Sequence, residues 1–137
     1  MLESNMNKED YVSLEVAKLL KEKGFNEPCD WIYDTKEQCF KNSKEVNFNV
    51  TFTNSILRDN VYCVPSLYEA QKWILMRSKL LTMSFIAEPF AEPLKYLYGI
   101  QSPSFGLDNY STIISEKEYD TYEEALNEGI LEALKLI

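Results

Sequence analysis

Residues 121–137 read Thr-Tyr-Glu-Glu-Ala-Leu-Asn-Glu-Gly-Ile-Leu-Glu-Ala-Leu-Lys-Leu-Ile. The first four residues match a capping box, in which the Thr121 hydroxyl accepts from a backbone amide and Glu124 reaches back to the threonine amide. Apolar positions then recur at helical spacing, namely Leu126, Gly129, Ile130, Ala133, Leu134 and Ile137. The pattern predicts an amphipathic helix, and such a helix requires an apolar surface to pack against.

The best candidate for that surface is the stretch over 46–53. Its apolar residues alternate strictly with asparagine and threonine, and they are Val46, Phe48, Val50 and Phe52. Strict alternation predicts a strand with one buried and one solvated face, which is typical of an antiparallel sheet. We expect it to form a long-looped hairpin with a first strand over 31–34, the polar stretch 35–45 being the loop.

Two further helices are indicated by their end signals. Ser13 is a good N-cap for a helix over 14–23, which Gly24 would terminate. Ser66 opens a second capping box before a helix over 67–78.

The remaining segments complete the predicted order. Alternation and breaker residues predict strands over 81–88, 94–100 and 110–115, a loop over 102–109 and a short extended piece over 61–64. The sequence therefore predicts one α+β domain over 1–137, with residues 1–10 flexible. Three helices would pack on a mainly antiparallel sheet of four to five strands, in the order αββαββ(β)α.

The negative net charge of the chain limits the classes of partner that it can bind. The formal net charge is −8, so the basic footprint of a nucleic-acid-binding protein is missing and an anionic membrane would repel the chain. We expect no direct nucleic-acid binding and no membrane association, and a protein partner or self-association remains open. The polar N-terminal residues lack the apolar segment of a signal peptide, which favours a cytoplasmic location.

Residue types missing from the sequence exclude several chemistries. There is no histidine, which removes Ser-His-Asp and Cys-His machinery and the commonest metal ligand. The four glycines are scattered singly, so no phosphate-binding loop is present. The three cysteines, Cys29, Cys39 and Cys63, contain no C-x-x-C pair and suit a reducing compartment, with a Cys29–Cys39 bridge left open. We therefore predict no catalytic residue, no cofactor and no metal site.

Residues 13–20 look like the first helix of MerR-type and excisionase-type helix-turn-helix domains. Those domains continue with a tight turn and a recognition helix, whereas Gly24 and Pro28 are followed here by an extended Trp-Ile-Tyr stretch. The next predicted helix lies too far along the chain to read a groove with the first, which disfavours this DNA-binding interpretation.

Aromatic and acidic residues are the candidates for an interaction surface. Aromatic side chains are enriched at the centres of protein interfaces, and we single out Trp31, Phe90, Tyr96 and Tyr98. Tyr96 and Tyr98 would share one strand face. A candidate acidic ridge for a basic partner lies one helical turn apart along the last helix and consists of Glu124, Glu128 and Glu132.

Stretches within the three predicted helices carry a resemblance to a known family. They include Val-Ser-Leu-Glu-Val-Ala-Lys-Leu-Leu-Lys-Glu-Lys-Gly-Phe over 12–25 with Glu-Pro-Cys over 27–29, and the stretches over 64–73, 119–126 and 132–137. Together they resemble small uncharacterised proteins of gut bacteria of the Bacteroides group and of their phages or integrated elements. The resemblance implies a phage or mobile-element origin and a compact α+β fold, and it implies no activity and no catalytic residue.

The leading hypothesis is a non-enzymatic protein-interaction module that acts through an open sheet face or an exposed edge. One alternative is an acidic DNA mimic that inhibits a host protein, which would require carboxylates spaced like phosphates. The other is a small enzyme that uses carboxylates, tyrosines or a cysteine, which would require a deep pocket.

Overall fold

The computed structural model describes residues 6–43, 51–103 and 110–137. The helices are α1 (Leu14–Glu22), α2 (Leu67–Ser78) and α3 (Tyr122–Lys135), and the strands are β1 (Trp31–Asp34), β2 (Cys39–Asn42), β3 (Val61–Cys63), β4 (Leu81–Ile86), β5 (Tyr96–Pro103) and β6 (Tyr110–Ile114). Short 3₁₀ helices cover Lys8–Asp10 and Asn54–Ile56. The described residues divide between Ser66 and Leu67 into two compact units.

The first unit contains α1 and an antiparallel sheet in the order β2-β1-β3. Ser13 caps α1 as predicted, because its hydroxyl accepts from the amide of Val16 at 3.3 Å. Gly24, at a φ of 99°, ends the helix, and its left-handed conformation lets the amide of Phe25 donate to the carbonyl of Leu20 at 2.9 Å. The ring of Phe25 is thereby turned into the core, where it is fully buried.

A buried asparagine joins three segments of this unit. The Asn54 side-chain nitrogen donates to the carbonyl of Phe25 at 2.9 Å, and its oxygen accepts from the amide of Cys63 at 3.0 Å. Asn54 is only 6% exposed, so neither backbone group has water as a ready substitute. The side chain therefore ties the end of α1 and strand β3 to the second 3₁₀ helix.

The second unit contains α2, α3 and an antiparallel sheet in the order β4-β5-β6. The Thr121 hydroxyl accepts from the amide of Glu124 at 3.0 Å, which confirms the predicted N-cap of α3. The helix packs on β4 and β5, and it approaches β5 closely at Gly129. A Cβ atom at that position would lie 2.9 Å from the Cβ of Tyr98, so only glycine fits there without movement.

The α+β class and three helices are confirmed, whereas a single sheet of four to five strands is wrong for the described residues. These form two three-stranded sheets, because β3, predicted only as an extended piece, adds to β1 rather than continuing a sheet with β4 and β5. Pairing partners are a non-local property that alternation along one segment does not specify.

The predicted loop over 35–45 is also corrected, since it contains β2. A turn returns the chain after β1, because the Asp34 carboxylate accepts from the amides of Lys36 and Glu37 at 2.9 and 3.2 Å. Gln38 completes the turn at a φ of 55°, a conformation usually occupied by glycine or asparagine. Because neither residue stands at this position, the sequence did not predict the turn.

Several predictions lie partly or wholly outside the described residues. The strand over 46–53 is described only from residue 51, where Phe52 forms an isolated bridge with Cys29. The predicted loop over 102–109 is wrong at residues 102 and 103, which belong to β5, and residues 104–109 lie outside the described residues. A single domain and a flexible stretch over 1–10 stay predictions; within that stretch Met6 is 8% exposed.

Candidate functional site

Trp31, the first of the predicted interaction residues, is a core residue. It begins β1, is 6% exposed and meets the Tyr11 ring edge-on at 6.5 Å between centroids. A ring buried within the first unit offers no contact area to a partner, so the prediction of Trp31 as an interaction residue is wrong.

Phe90 has the opposite environment. It lies in the connection between β4 and β5, whose base is closed by a hydrogen bond from the Ala87 amide to the Lys95 carbonyl at 2.8 Å. The side chain is 99% exposed, and the backbone has a φ of 68°. A bulky residue in this left-handed region is strained, so the loop holds an aromatic ring in solvent at a conformational cost.

Tyr96 and Tyr98 share one face of β5, as the alternation predicted, and it is the face that α3 covers. Tyr98 lies under Gly129, as the close approach of the two shows. Tyr96 exchanges two backbone hydrogen bonds of 2.8 Å with Tyr119, in the segment that leads into α3. Both tyrosines are half-buried, so their rings contribute to packing and also remain accessible at one side of the helix.

Two tyrosines that sequence reasoning missed complete an aromatic cluster. The Tyr119 ring lies 6.2 Å from the Tyr98 ring at an angle of 41°, and the Tyr122 ring meets the Tyr96 ring edge-on at 6.2 Å. Tyr122 is 45% exposed. The sequence feature that could have identified them is their position on either side of the Thr121 N-cap. There the chain leaves the bridge between Tyr119 and Tyr96 and begins α3.

Two glutamates of the predicted acidic ridge border this cluster. Burial, Glu132 and Glu128 together raise the pKa of the Tyr98 phenol, with a smaller effect of Glu116. Burial and the same two helix carboxylates also raise the pKa of Tyr119. We call Tyr98, Tyr119, Glu128 and Glu132 the tyrosine–carboxylate face, because its phenols lie within the negative field of its carboxylates.

Glu124, the third member of the predicted ridge, has another environment. It lies exposed in the first turn of α3, and its charge contributes to the raised pKa of Lys95, whose main cause is a hydrogen bond to Asp120. Of the predicted ridge, Glu128 and Glu132 therefore act on the tyrosines, whereas Glu124 acts on the Lys95–Asp120 ion pair.

Two lysines of the chain contact the tyrosine–carboxylate face. The ammonium group of Lys117 lies 5.3 Å from the centroid of the Tyr119 ring, a distance at which the ring quadrupole attracts positive charge. The Glu132 carboxylate accepts from the Lys135 ammonium at 3.1 Å. Both lysines lie at exposed positions.

Other site types find no support among the described residues. Over 6–43, 51–103 and 110–137, no group of three or more cysteine and carboxylate side chains is arranged to hold a metal ion. None of the described helices combines the length and the apolar character needed to cross a bilayer.

Comparisons with protein-family models, with curated proteins and with solved structures found no match for this chain. The resemblance to small proteins of Bacteroides-group bacteria and their phages therefore stays a prediction.

Proposed function

We propose that this protein is a protein-interaction module that binds a cationic segment of its partner on the tyrosine–carboxylate face. The observation that carries the proposal is the position of Lys117 over the Tyr119 ring, in the same neighbourhood as the carboxylates of Glu128 and Glu132. An arginine or lysine of a partner would find there both a ring face and a negative charge.

The charge of the whole chain supports this choice of partner. A net charge of −8 attracts basic segments over a distance of about 8 Å at physiological ionic strength, which increases the rate of encounter. The tyrosine rings would then supply contact area with little loss of side-chain entropy. Electrostatics and aromatic contacts therefore favour the same class of partner.

Phe90 extends the proposed surface within the second unit. Its ring has almost no contact with the rest of the chain, so it gives the fold no packing energy in exchange for the strained backbone. An exposed aromatic side chain of this kind is typical of an anchor that is buried on binding. We assign Phe90 the role of an apolar anchor in the connection between β4 and β5.

The DNA-mimic alternative has no comparable observation in its favour. A phosphate-like surface needs an uninterrupted row of negative charges, and here Lys95, Lys117 and Lys135 lie among the carboxylates. We therefore keep the protein-interaction module as the single proposal.

The experiment is calorimetric titration of the protein with an arginine- and lysine-rich peptide at low ionic strength. The double variant Glu128→Gln/Glu132→Gln should bind about tenfold more weakly, since two partly exposed charge pairs contribute roughly 0.7 kcal/mol each. The matched control is Glu9→Gln/Glu22→Gln, which removes the same charge from exposed positions of the first unit. Equal weakening by both double variants would show non-specific attraction and would contradict the proposal.

A second pair of variants separates the ring from the charge. Tyr119→Phe retains the aromatic face and should bind as the wild type does, whereas Tyr119→Leu should lose about two- to fivefold in affinity. Phe90→Asn suits the left-handed backbone and should weaken binding without loss of folded protein.

A further inference from the structure

Two of the three thiols come together in the first unit, although 34 positions separate them in the sequence. The Cys29 amide donates to the carbonyl of Phe52 at 2.9 Å, and the Cys63 sulfur lies 3.6 Å from that same carbonyl oxygen. Cys29 is the main neighbour that lowers the pKa of Cys63, and the Cys29 sulfur lies 3.6 Å from the carbonyl oxygen of Glu27. The structure thus places Cys29 beside Cys63, whereas Cys39 lies opposite Asp34 at the far end of the β1–β2 hairpin.

A lysine is held close to this pair by backbone carbonyls. The ammonium group of Lys21, on α1, donates to the carbonyls of Val61 and Arg58 at 2.7 and 2.8 Å. These bonds fix its position near Cys63, with Asp59 as the nearby opposite charge. A fixed ammonium group favours a thiolate over a thiol.

The pKa of Cys63 reflects this environment. The hydrogen bond from Cys29 and the charge of Lys21 lower it, and burial of the thiol opposes them, with a net decrease. Thiol oxidation starts from the thiolate, and a second sulfur in contact allows the oxidised sulfur to be captured as a disulfide. Cys63 and Cys29 together meet both requirements.

We propose that Cys63 and Cys29 form an oxidant-sensitive dithiol site that hydrogen peroxide converts into a disulfide. The Cys63 thiolate attacks one peroxide oxygen, so that an S–O bond forms, the O–O bond breaks and hydroxide leaves, which takes up the proton released by Cys63 to give water. The Cys29 sulfur then attacks the sulfenic sulfur of Cys63. An S–S bond forms, the S–O bond breaks, and the hydroxyl leaves with the Cys29 proton as a second water. The thiols lose two electrons, and the peroxide gains them.

The burial of both thiols limits the size of the oxidants that can reach them. Cys29 is 3% exposed and Cys63 is 0% exposed, so a bulky disulfide such as glutathione disulfide cannot reach either sulfur in the folded chain. Hydrogen peroxide is close to water in size and needs only a small local opening. Cys39 is the internal reference, because it is half-buried and its sulfur lies 3.9 Å from the Glu37 carboxylate, which is itself paired with the Lys41 ammonium group.

The test exposes the folded wild-type protein to limiting hydrogen peroxide, followed by acid quench, denaturation, maleimide alkylation and mass analysis of its peptides. The expected product joins the peptides of Cys29 and Cys63 with the loss of two hydrogen atoms, while Cys39 remains alkylated. Oxidation of Cys39 before the pair, or accumulation of Cys63 sulfinic acid without a disulfide, would overturn the proposal. The same mixture in urea provides the reference in which all pairings compete.

A variant tests the role of the lysine. Lys21→Gln should form the disulfide roughly three- to tenfold more slowly near neutral pH, because the thiolate fraction falls. Lys18→Gln, which removes the same charge from an exposed position of α1, should react at the wild-type rate. If Lys21→Gln is not folded, the pH dependence of the wild-type rate decides instead. Its midpoint should lie below the ordinary cysteine value of about 8.5, and a midpoint at or above that value would contradict the proposal.

Discussion

Substitution of Asn54 by alanine should destabilise the first unit more than any exposed substitution near it. The change removes two hydrogen bonds and leaves the carbonyl of Phe25 and the amide of Cys63 buried without these partners. An unsatisfied buried backbone group costs about 1–3 kcal/mol, and part of this cost is recovered if water enters the vacated space. We expect a loss of about 3 kcal/mol in the free energy of unfolding.

The assay is urea unfolding followed by tryptophan fluorescence, since Trp31 is buried in the same unit. The matched control is Ser55→Ala in the same 3₁₀ helix, whose side chain is exposed and should cost less than about 0.5 kcal/mol. Asn54→Asp provides a further check, because its protonated form at about pH 4 can again donate to Phe25, whereas its ionised form at about pH 7 cannot. A free energy of unfolding for Asn54→Ala within about 0.5 kcal/mol of wild type would refute the role of this side chain.

Three further predictions concern the second unit. Gly129→Ala should lower the free energy of unfolding by about 1–3 kcal/mol in chemical denaturation, because the added Cβ would meet Tyr98 at 2.9 Å and this overlap outweighs the gain in helix propensity; a stabilised variant would refute the close approach. Thr82→Val should raise the melting temperature, since the Thr82 hydroxyl is buried without a hydrogen-bond partner in the described structure, and a lowered melting temperature would show that the hydroxyl has one. Glu128→Gln/Glu132→Gln should lower the pKa of Tyr98 in a tyrosinate absorbance titration, because both carboxylates raise it in the wild type. An unchanged titration would show that the two carboxylates do not act on Tyr98. Because the pKa of Tyr98 is raised in the folded state, its contribution to stability is fully present below the unfolded value of about 10 and is lost as the pH rises from that value through the higher folded pKa.

The helices could be predicted because their signals are local. The N-caps at Ser13 and Thr121 act on amides of the next turn, and helix α2 begins directly after Ser66, where its capping box places it. A hydroxyl three residues before the amide that donates to it is visible in the sequence alone.

The sheets could be predicted only in part, because strand pairing joins distant residues. The segments of β1, β4 and β5 were found by composition, whereas the pairing of β3 with β1 depends on which edge is free in the folded chain. Strand β2 was not predicted, because the turn before it places Gln38 at a positive φ and glutamine is not a residue typical of that conformation.

The candidate site shows the same division. Alternation correctly placed Tyr96 and Tyr98 on one strand face, and helical periodicity correctly placed Glu128 and Glu132 one turn apart. Their meeting depends on α3 crossing β5 at Gly129, which is a tertiary contact. The burial of Trp31 could not be predicted either, since β1 has only four residues and its first two, Trp31 and Ile32, are both buried instead of alternating.

The most direct test of cation binding on the tyrosine–carboxylate face is a nuclear magnetic resonance titration of the tyrosine ring protons with an oligoarginine peptide. The account predicts that the ring signals of Tyr98 and Tyr119 shift first and saturate together, and that added salt reverses the shifts. Tyr33 and Tyr62, in the first unit, should remain unchanged. Shifts that begin at those two rings, or an absence of shifts at Tyr98 and Tyr119 while the peptide binds, would contradict it.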